Sequence, residues 1–353
     1  MSSIRIRNIY HMLSYAYKSL RQTSYQNLAN EPFEHVADLF AAILAMGMAD
    51  QVRRGITKDY REHTESLPMI RGKIEWGTTL NSRSVLTKKL VCRYDVYDEN
   101  IYLNQILYTT AHVLLRNQEV CEERKRKLKK TMMFFAGCDL LDHSSIQWNR
   151  IQYHRNNVVY KMLINVCYLV LHGLLLRQES GAYRLANFID DQKRYQLFQR
   201  FVLCYYQHHY PHYHPRAQVI KWQLDDSFID FLPNMVSDVL MEYGGRTVIL
   251  DTKYYRKIMS KRYYSNPGAE NDEDKVKVNS ANLYQMFSYV KNYAAHSVNQ
   301  VSGLLLYANT NEQITPDVEY RMGGNVIRIK TVDLDQEFSL IETQLHDILK
   351  ELI

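Results

Sequence analysis

Only five cysteines occur in the 353 residues, at Cys92, Cys121, Cys138, Cys167 and Cys204. They are odd in number, widely spaced and never in a Cys-x-x-Cys pair. This excludes a zinc or iron–sulfur signature and argues against a disulfide framework. No stretch reaches the roughly 18 apolar residues that a membrane span requires. The most apolar segment, residues 162–176, is interrupted by Asn165 and His172 and reads as a buried helix. The opening Met-Ser-Ser-Ile-Arg-Ile-Arg-Asn has no signal-peptide core. These absences predict a cytoplasmic protein without a membrane partner. No Gly-x-x-x-x-Gly-Lys-Ser/Thr sequence occurs either, so the chain lacks its own phosphate-binding loop for a nucleotide.

What is present is ordinary for a soluble globular protein, with 46% hydrophobic and 23% charged residues. The net charge of +6 is compatible with a polyanionic partner without demanding one. Tyrosine, at 28 residues, far outnumbers tryptophan, at 3. Tyrosines can stack on bases or contact phosphates, but most serve cores and rims.

The length suits two domains, and the expected boundary lies near residue 180, where Gln178-Glu-Ser-Gly181 breaks the long apolar helix. Residues 1–180 read as a mostly helical region with a small β portion near 60–95. Helices are expected over 9–20, 33–52 and 101–116, the last with Asp98 as N-cap. Residues 181–353 read as an α/β domain. Its expected elements are a helix over 195–208, a strand over 219–224, a hairpin, a helix over 281–293, strands over 301–307 and 325–332, and a final helix from Ser339.

The hairpin is the informative stretch. Two β-rich runs flank Gly244-Gly245, the signal for a two-residue primed turn. Pairing Tyr243 with Arg246 and counting back sets Asp238 opposite Asp251, with Lys253 on the same face. Like charges directly opposed destabilise a sheet, so the two carboxylates call for a compensating cation. A hard divalent ion such as Mg²⁺ fits that donor set, and the lysine offers a charge to an anionic reactant. Other acid-x-lysine pairs, such as Glu123/Lys125 and Asp191/Lys193, lie in polar surroundings. Only Asp251/Lys253 follows an apolar run, Thr247-Val-Ile-Leu250. On this pattern alone a phosphodiester-cleaving site and a structural ion pair stand level.

Ser237-Asp238 and Asp251-Thr-Lys253 resemble the two halves of the PD-(D/E)XK nuclease motif, with Ser237 where a proline is usual. Gln285-Met-Phe-Ser-Tyr289 resembles the Q-x-x-x-Y element of RecB-like members, and its two named residues share a helical face. Across the chain, Ile6-Arg-Asn-Ile-Tyr-His-Met-Leu-Ser-Tyr-Ala16, Arg71-Gly-Lys-Ile74, Cys92-Arg-Tyr-Asp95, Leu197-Phe-Gln-Arg-Phe-Val202 and Gly303-Leu-Leu-Leu-Tyr307 resemble the McrC family in order and spacing. The resemblance implies the nuclease subunit of a modification-dependent McrBC restriction system. It implies Mg²⁺-dependent hydrolysis of double-stranded DNA containing modified cytosine. The ligands would be Asp238 and Asp251, with Lys253 orienting water or stabilising developing charge, and Gln285 and Tyr289 supporting. Its implied partner is a McrB-like AAA+ GTPase hexamer, which holds the GTP and whose hydrolysis this chain stimulates. Many superfamily members carry a further acid on the first helix of the nuclease domain. The matching position here is Gln199, which leaves the number of metals open. A non-cleaving activator of the GTPase ring and a stand-alone RecB-like nuclease are the competing readings.

Other stretches carry two readings each. The run Glu122–Lys130 holds six basic residues and reads as a solvated helical face ahead of a phosphate-contacting patch. His208, His209, His212 and His214 match no standard ligand spacing, so aromatic packing is preferred to a metal site. Residues 257–278, rich in charge, Asn and Gly, form either a mobile insertion or a segment closing over DNA. Arg71, Gly72 and Lys73 form either a ring-contacting turn or a core-packing one.

Overall fold

The structure is a computed structural model and describes residues 4–17, 20, 25, 28, 31–82, 84–154, 157, 159–175, 191–226, 228, 230–254, 259–261, 276–309 and 315–352. The chain forms two compact units, one of residues 1–29 with 189–353 and one of residues 30–188. A single boundary near 180 therefore becomes two crossings, and the first helix leaves the amino-terminal region. That helix, α1 (Ile6–Ala16), is amphipathic and buries Ile9, Tyr10, Met12 and Leu13. Its Asn8 amide donates to the carbonyls of Leu334 at 2.9 Å and Gln336 at 2.8 Å. The Tyr15 hydroxyl donates to Glu342 Oε1 at 2.8 Å, and Arg200 Nε donates to the Ala16 carbonyl at 3.2 Å. These partners lie more than 180 residues on, beyond the reach of local pattern. The break expected at 178–181 lies outside the described residues.

In the 30–188 unit, α2 (Val36–Arg54) is buried on almost every side from Ala37 to Met48 and ends at Gly55, whose φ of 86° suits a residue without Cβ. Three antiparallel strands follow: β1 (Asp59–Leu67), β2 (Lys73–Ile74) and, after α3 (Trp76–Asn81), β3 (Leu90–Asp98), in the order β1-β3-β2. Helix α4 (Tyr102–Arg116) starts after Ile101, which makes no side-chain cap. The expectation for Asp98 fails because that residue ends β3, where its carboxylate accepts the Asn100 N–H at 3.0 Å. The α4 residue Asn104 is buried and tied instead, receiving the Tyr160 hydroxyl at 2.8 Å. Helix α5 (Glu122–Met132) is the basic run, with Glu122 and Glu123 in its first turn and Lys129 and Lys130 in its last, matching the helix dipole. Leu128 and Met132 are buried, Lys125 and Lys127 pair with Glu122 and Glu123, and Arg124 pairs with Glu31. The hydrophobic α6 (Tyr160–Leu175) is the buried helix expected over 162–176.

The larger unit resumes with α7 (Asp191–His209), β4 (Arg216–Ile220) and the hairpin β5 (Met235–Tyr243) and β6 (Arg246–Lys253). Within the segment expected to be loop, β7 (Met259–Lys261) pairs antiparallel with β8 (Val276–Val278), while residues 262–275 lie outside the described residues. Then come α8 (Ser280–Ala295), β9 (Gln300–Asn309), β10 (Val318–Met322), β11 (Asn325–Asp333) and α9 (Phe338–Leu352). The six-stranded sheet runs β10-β11-β9-β6-β5-β4, with β6, β9 and β11 parallel and the other pairings antiparallel. This is a mixed α/β architecture. Leu240, Ile249, Leu305, Ile327 and Ile329 pack with Met286 and Val290 of α8. Each such fully buried side chain contributes roughly 1.5–3 kcal/mol. Gly303 lets α8 approach, since a Cβ there would meet Met286 Sδ at 2.6 Å. Phe198 of α7 packs near Tyr254, which points to the face opposite Lys253. Both faces of the central strands are thus covered, and β6 is buried from Thr247 to Lys253.

Candidate functional site

The turn that sets the site is the expected one. Gly244 and Gly245 have φ of 56° and 76°, both in the region a primed turn requires. Tyr243 pairs with Arg246, and the ladder runs to Val239 opposite Leu250. There the backbone pairing of β5 with β6 ends, one residue short of the expected Asp238–Asp251 pair, where the pairing of β5 with β4 also shifts register. The Asp238 carboxylate takes the place of the missing rung: its Oδ2 accepts the Thr252 N–H at 2.7 Å and the Thr252 hydroxyl at 2.6 Å. From α7, Gln199 Nε2 donates to Asp238 Oδ1 at 2.6 Å, and the Tyr195 hydroxyl lies 3.4 Å from both carboxylate oxygens.

Asp251 is treated differently. It is 1% exposed, and its Oδ2 forms a buried ion pair with Lys253 Nζ at 2.6 Å. Lys253 Nζ also donates to Gln285 Oε1 at 2.9 Å, and Gln285 Nε2 reaches the Tyr289 hydroxyl at 2.7 Å. Gln285 and Tyr289 lie one turn apart on α8, so one helical face presents both to the lysine. The structure therefore brings Asp238, Asp251, Lys253, Gln285 and Tyr289 into one cluster.

Its electrostatics follow from burial. Desolvation pushes the Asp251 carboxyl up to about 6, with the Asp238 charge adding to the rise and Lys253 opposing it. Asp238 is also raised by burial, against the pull of the two Thr252 donors and Lys253. Burial likewise raises the Tyr289 phenol. An acid pair held this way gains from a divalent cation. Two carboxylates that share one lysine leave an uncompensated negative charge, a donor set that suits a hard ion completed by other oxygens. Among the described residues no group of three or more His, Cys, Asp or Glu side chains is placed to hold a metal. Gln199 sits beside Asp238 as a neutral donor. Thr252 and Tyr195 were not singled out in the sequence. Tyr195 was findable as the residue one turn before Gln199, whereas the Thr252 bond depends on where the ladder stops.

In the 30–188 unit, Gly72 has a φ of 67°, and a Cβ there would lie 2.3 Å from the Arg93 carbonyl. Arg71 stacks over the Tyr94 ring at 4.0 Å, so these two residues pack on their own sheet. Lys73 pairs in register with Arg93 and its side chain is exposed. Three of the four histidines are absorbed in ring packing, with His209 Nε2 2.6 Å from the Tyr15 hydroxyl, His208 edge-on to the Tyr15 ring and His212 against Tyr213 at 4.1 Å, while His214 is exposed at the end of a short turn.

Similarity to known proteins falls in one place. The family described as McrBC 5-methylcytosine restriction system component matches residues 4–308. The type IV methyl-directed restriction enzyme EcoKMcrBC of Escherichia coli (strain K12) is 27% identical over 354 residues, covering 99% of this chain and 98% of the relative. A half-complex from a tetradecameric assembly of Thermococcus gammatolerans McrB AAA+ hexamers with bound McrC aligns with a TM-score of 0.49 and 16% identity, covering 96% of this chain and 76% of that one. A Thermococcus gammatolerans McrBC complex aligns with a TM-score of 0.39 and 17% identity over 57% of this chain and 58% of that one.

Proposed function

The chain belongs to the McrBC 5-methylcytosine restriction system component family, and from that premise we propose that its larger unit is a PD-(D/E)XK-type nuclease acting on double-stranded DNA with modified cytosine. The observation that carries the reading is the pair of buried carboxylates, Asp238 and Asp251, beside Lys253 in a strand covered on both faces. A structural ion pair needs one acid, and the second makes the arrangement costly without a cation. Asp238 and Asp251 hold Mg²⁺ in this proposal. When bound, the cation supplies Lewis-acid polarisation of the scissile phosphate. Lys253, held between Asp251 and Gln285, orients the attacking water or stabilises charge that develops on the phosphate. Tyr289 fixes the Gln285 amide so that its oxygen, not its nitrogen, faces the ammonium.

The proposal extends to the partner. The chain works in the cytoplasm with a McrB-like AAA+ GTPase hexamer, which binds the GTP and whose hydrolysis this chain stimulates. The 30–188 unit docks on it. Around Arg71–Lys73 its short sheet leaves Met69 78% and Ile70 66% exposed, with Tyr60, Trp76 and Tyr97 exposed nearby in sequence or register. Exposed apolar side chains grouped on one short sheet support an interface. The test is cleavage of methylated and unmethylated plasmid with Mg²⁺, GTP and the cognate GTPase, comparing wild type with Asp251→Ala. Methylation-dependent cutting that the variant loses, while GTPase stimulation persists, supports both roles. Stimulation by both proteins with cutting by neither leaves a GTPase-activating protein and removes the nuclease.

A further inference from the structure

We propose that Gln199 makes cation capture at this site depend on the DNA phosphate, so that ion and scissile phosphodiester bind together; the inference rests on the nuclease reading. Among the described residues, the charges that bear on Asp251 are Asp238 and Lys253. With both acids ionised, the described residues of the pocket carry two negative charges and one positive. A divalent ion inverts the sign and leaves a net positive charge in a buried place, which is costly unless compensated. A phosphodiester brings the single negative charge that restores neutrality.

Gln199 is the reason the balance stands there. Its amide lies 2.6 Å from Asp238 Oδ1, and only the NH₂ end of an amide can face a carboxylate oxygen at that distance. It is therefore a donor that occupies the acid without adding charge. Asp238 Oδ2 is already committed to both donors of Thr252. The protein by itself thus offers a cation few open oxygens and too little negative charge. A carboxylate at 199 would make the pocket doubly negative, and a divalent ion would then be neutralised without DNA. Linkage makes the effect mutual: phosphate strengthens cation binding by the factor by which the cation strengthens phosphate binding. The consequence is a cutting centre that stays uncharged with metal until a DNA backbone enters it.

Mn²⁺ binding to the full chain, by calorimetry, with and without a short phosphorothioate duplex, tests this. The duplex should tighten wild-type binding by about tenfold or more. Without duplex, Gln199→Glu should bind Mn²⁺ about tenfold or more tightly than wild type, because ligand charge sets cation affinity, and the duplex should then add little. Lys253→Met makes the same change in charge from another residue and should behave alike, which guards against a Gln199→Glu chain that does not fold. Gln199→Met leaves the charge unchanged and should keep the wild-type response to duplex. Wild-type affinity indifferent to duplex, or a Gln199→Met variant decoupled like Gln199→Glu, overturns the proposal. Absence of any Mn²⁺ binding that Asp251→Asn abolishes would instead overturn the nuclease reading itself.

Discussion

Replacing Asp251 by asparagine should stabilise the cation-free protein at neutral pH while destroying its activity. The Asp251 carboxyl is displaced from 3.8 to about 6 by burial and by Asp238. A shift of about two units corresponds to about 3 kcal/mol against the ionised folded state. The folded pKa lies above the unfolded one, so this stability is fully present below about pH 4 and is lost as pH rises through about 6. Asparagine keeps the shape and removes the ionisation, so the variant escapes the loss. For a unit of this size about 3 kcal/mol corresponds to a rise of roughly 6–12 °C in Tm. Thermal unfolding of both proteins with chelator present, from pH 4.5 to 7.5, should show the curves converging in acid and separating above pH 6. Added Mg²⁺ should then close the gap by raising only the wild type. A variant less stable than wild type at pH 7.5 with chelator, or a gap that does not change with pH, refutes the reasoning.

Gln285→Leu removes the acceptor of Lys253 Nζ and the donor to Tyr289, and single-turnover cleavage should fall by roughly 10–100-fold with unfolding little changed, as expected for a group that positions another. Equal cleavage rates would remove Gln285 from the site. Gly303→Ala drives a Cβ against Met286 and Val290 and should cost about 1–3 kcal/mol in denaturant unfolding, the usual penalty of overpacking. Asn8→Ala strips hydrogen bonds to Leu334 and Gln336 and should cost about 1–3 kcal/mol. The loss should appear in protection of α9 from hydrogen exchange, and unchanged protection there would count against α1 as part of the larger unit.

What was legible in the sequence is what local chemistry determines. Two glycines between β-rich runs fix the turn, and the turn fixes the register, because a two-residue loop leaves no freedom in pairing. Counting from the turn gave the pairing as far as Val239 with Leu250 and brought Asp238 and Asp251 close enough for one charge to act on the other. The small β portion near 60–95 was legible, but the end of β3 was not, since Leu90–Asp98 mixes Arg93, Asp95 and Asp98 among its apolar residues and lacks a clean alternation. The place of α1 was invisible for a different reason. Its amphipathic face demands a partner, but nothing in eleven residues says that the partner begins at Leu334. The hydrogen bonds of Asp238 were also out of reach, because they arise where backbone pairing stops.

That stopping point links fold to chemistry. If β5 stayed paired to β6 through Asp238, the Thr252 N–H would be spent on a backbone carbonyl and the Asp238 carboxylate would stand beside Asp251 with less to hold it. Because the ladder ends at Val239, the carboxylate itself satisfies that N–H and is fixed by it. Asp251, still within the pairing of β6 with β9 opposite Leu305, is buried and has the Lys253 ammonium, 2.6 Å away, as its compensating charge. One acid is thus anchored by backbone and hydroxyl donors and the other by a lysine alone, within a strand whose neighbours exclude water from both faces. The asymmetry lowers stability without a cation, and it is the same asymmetry that gives a cation something to gain. A strand pair that continued one rung further would be more stable and a poorer site.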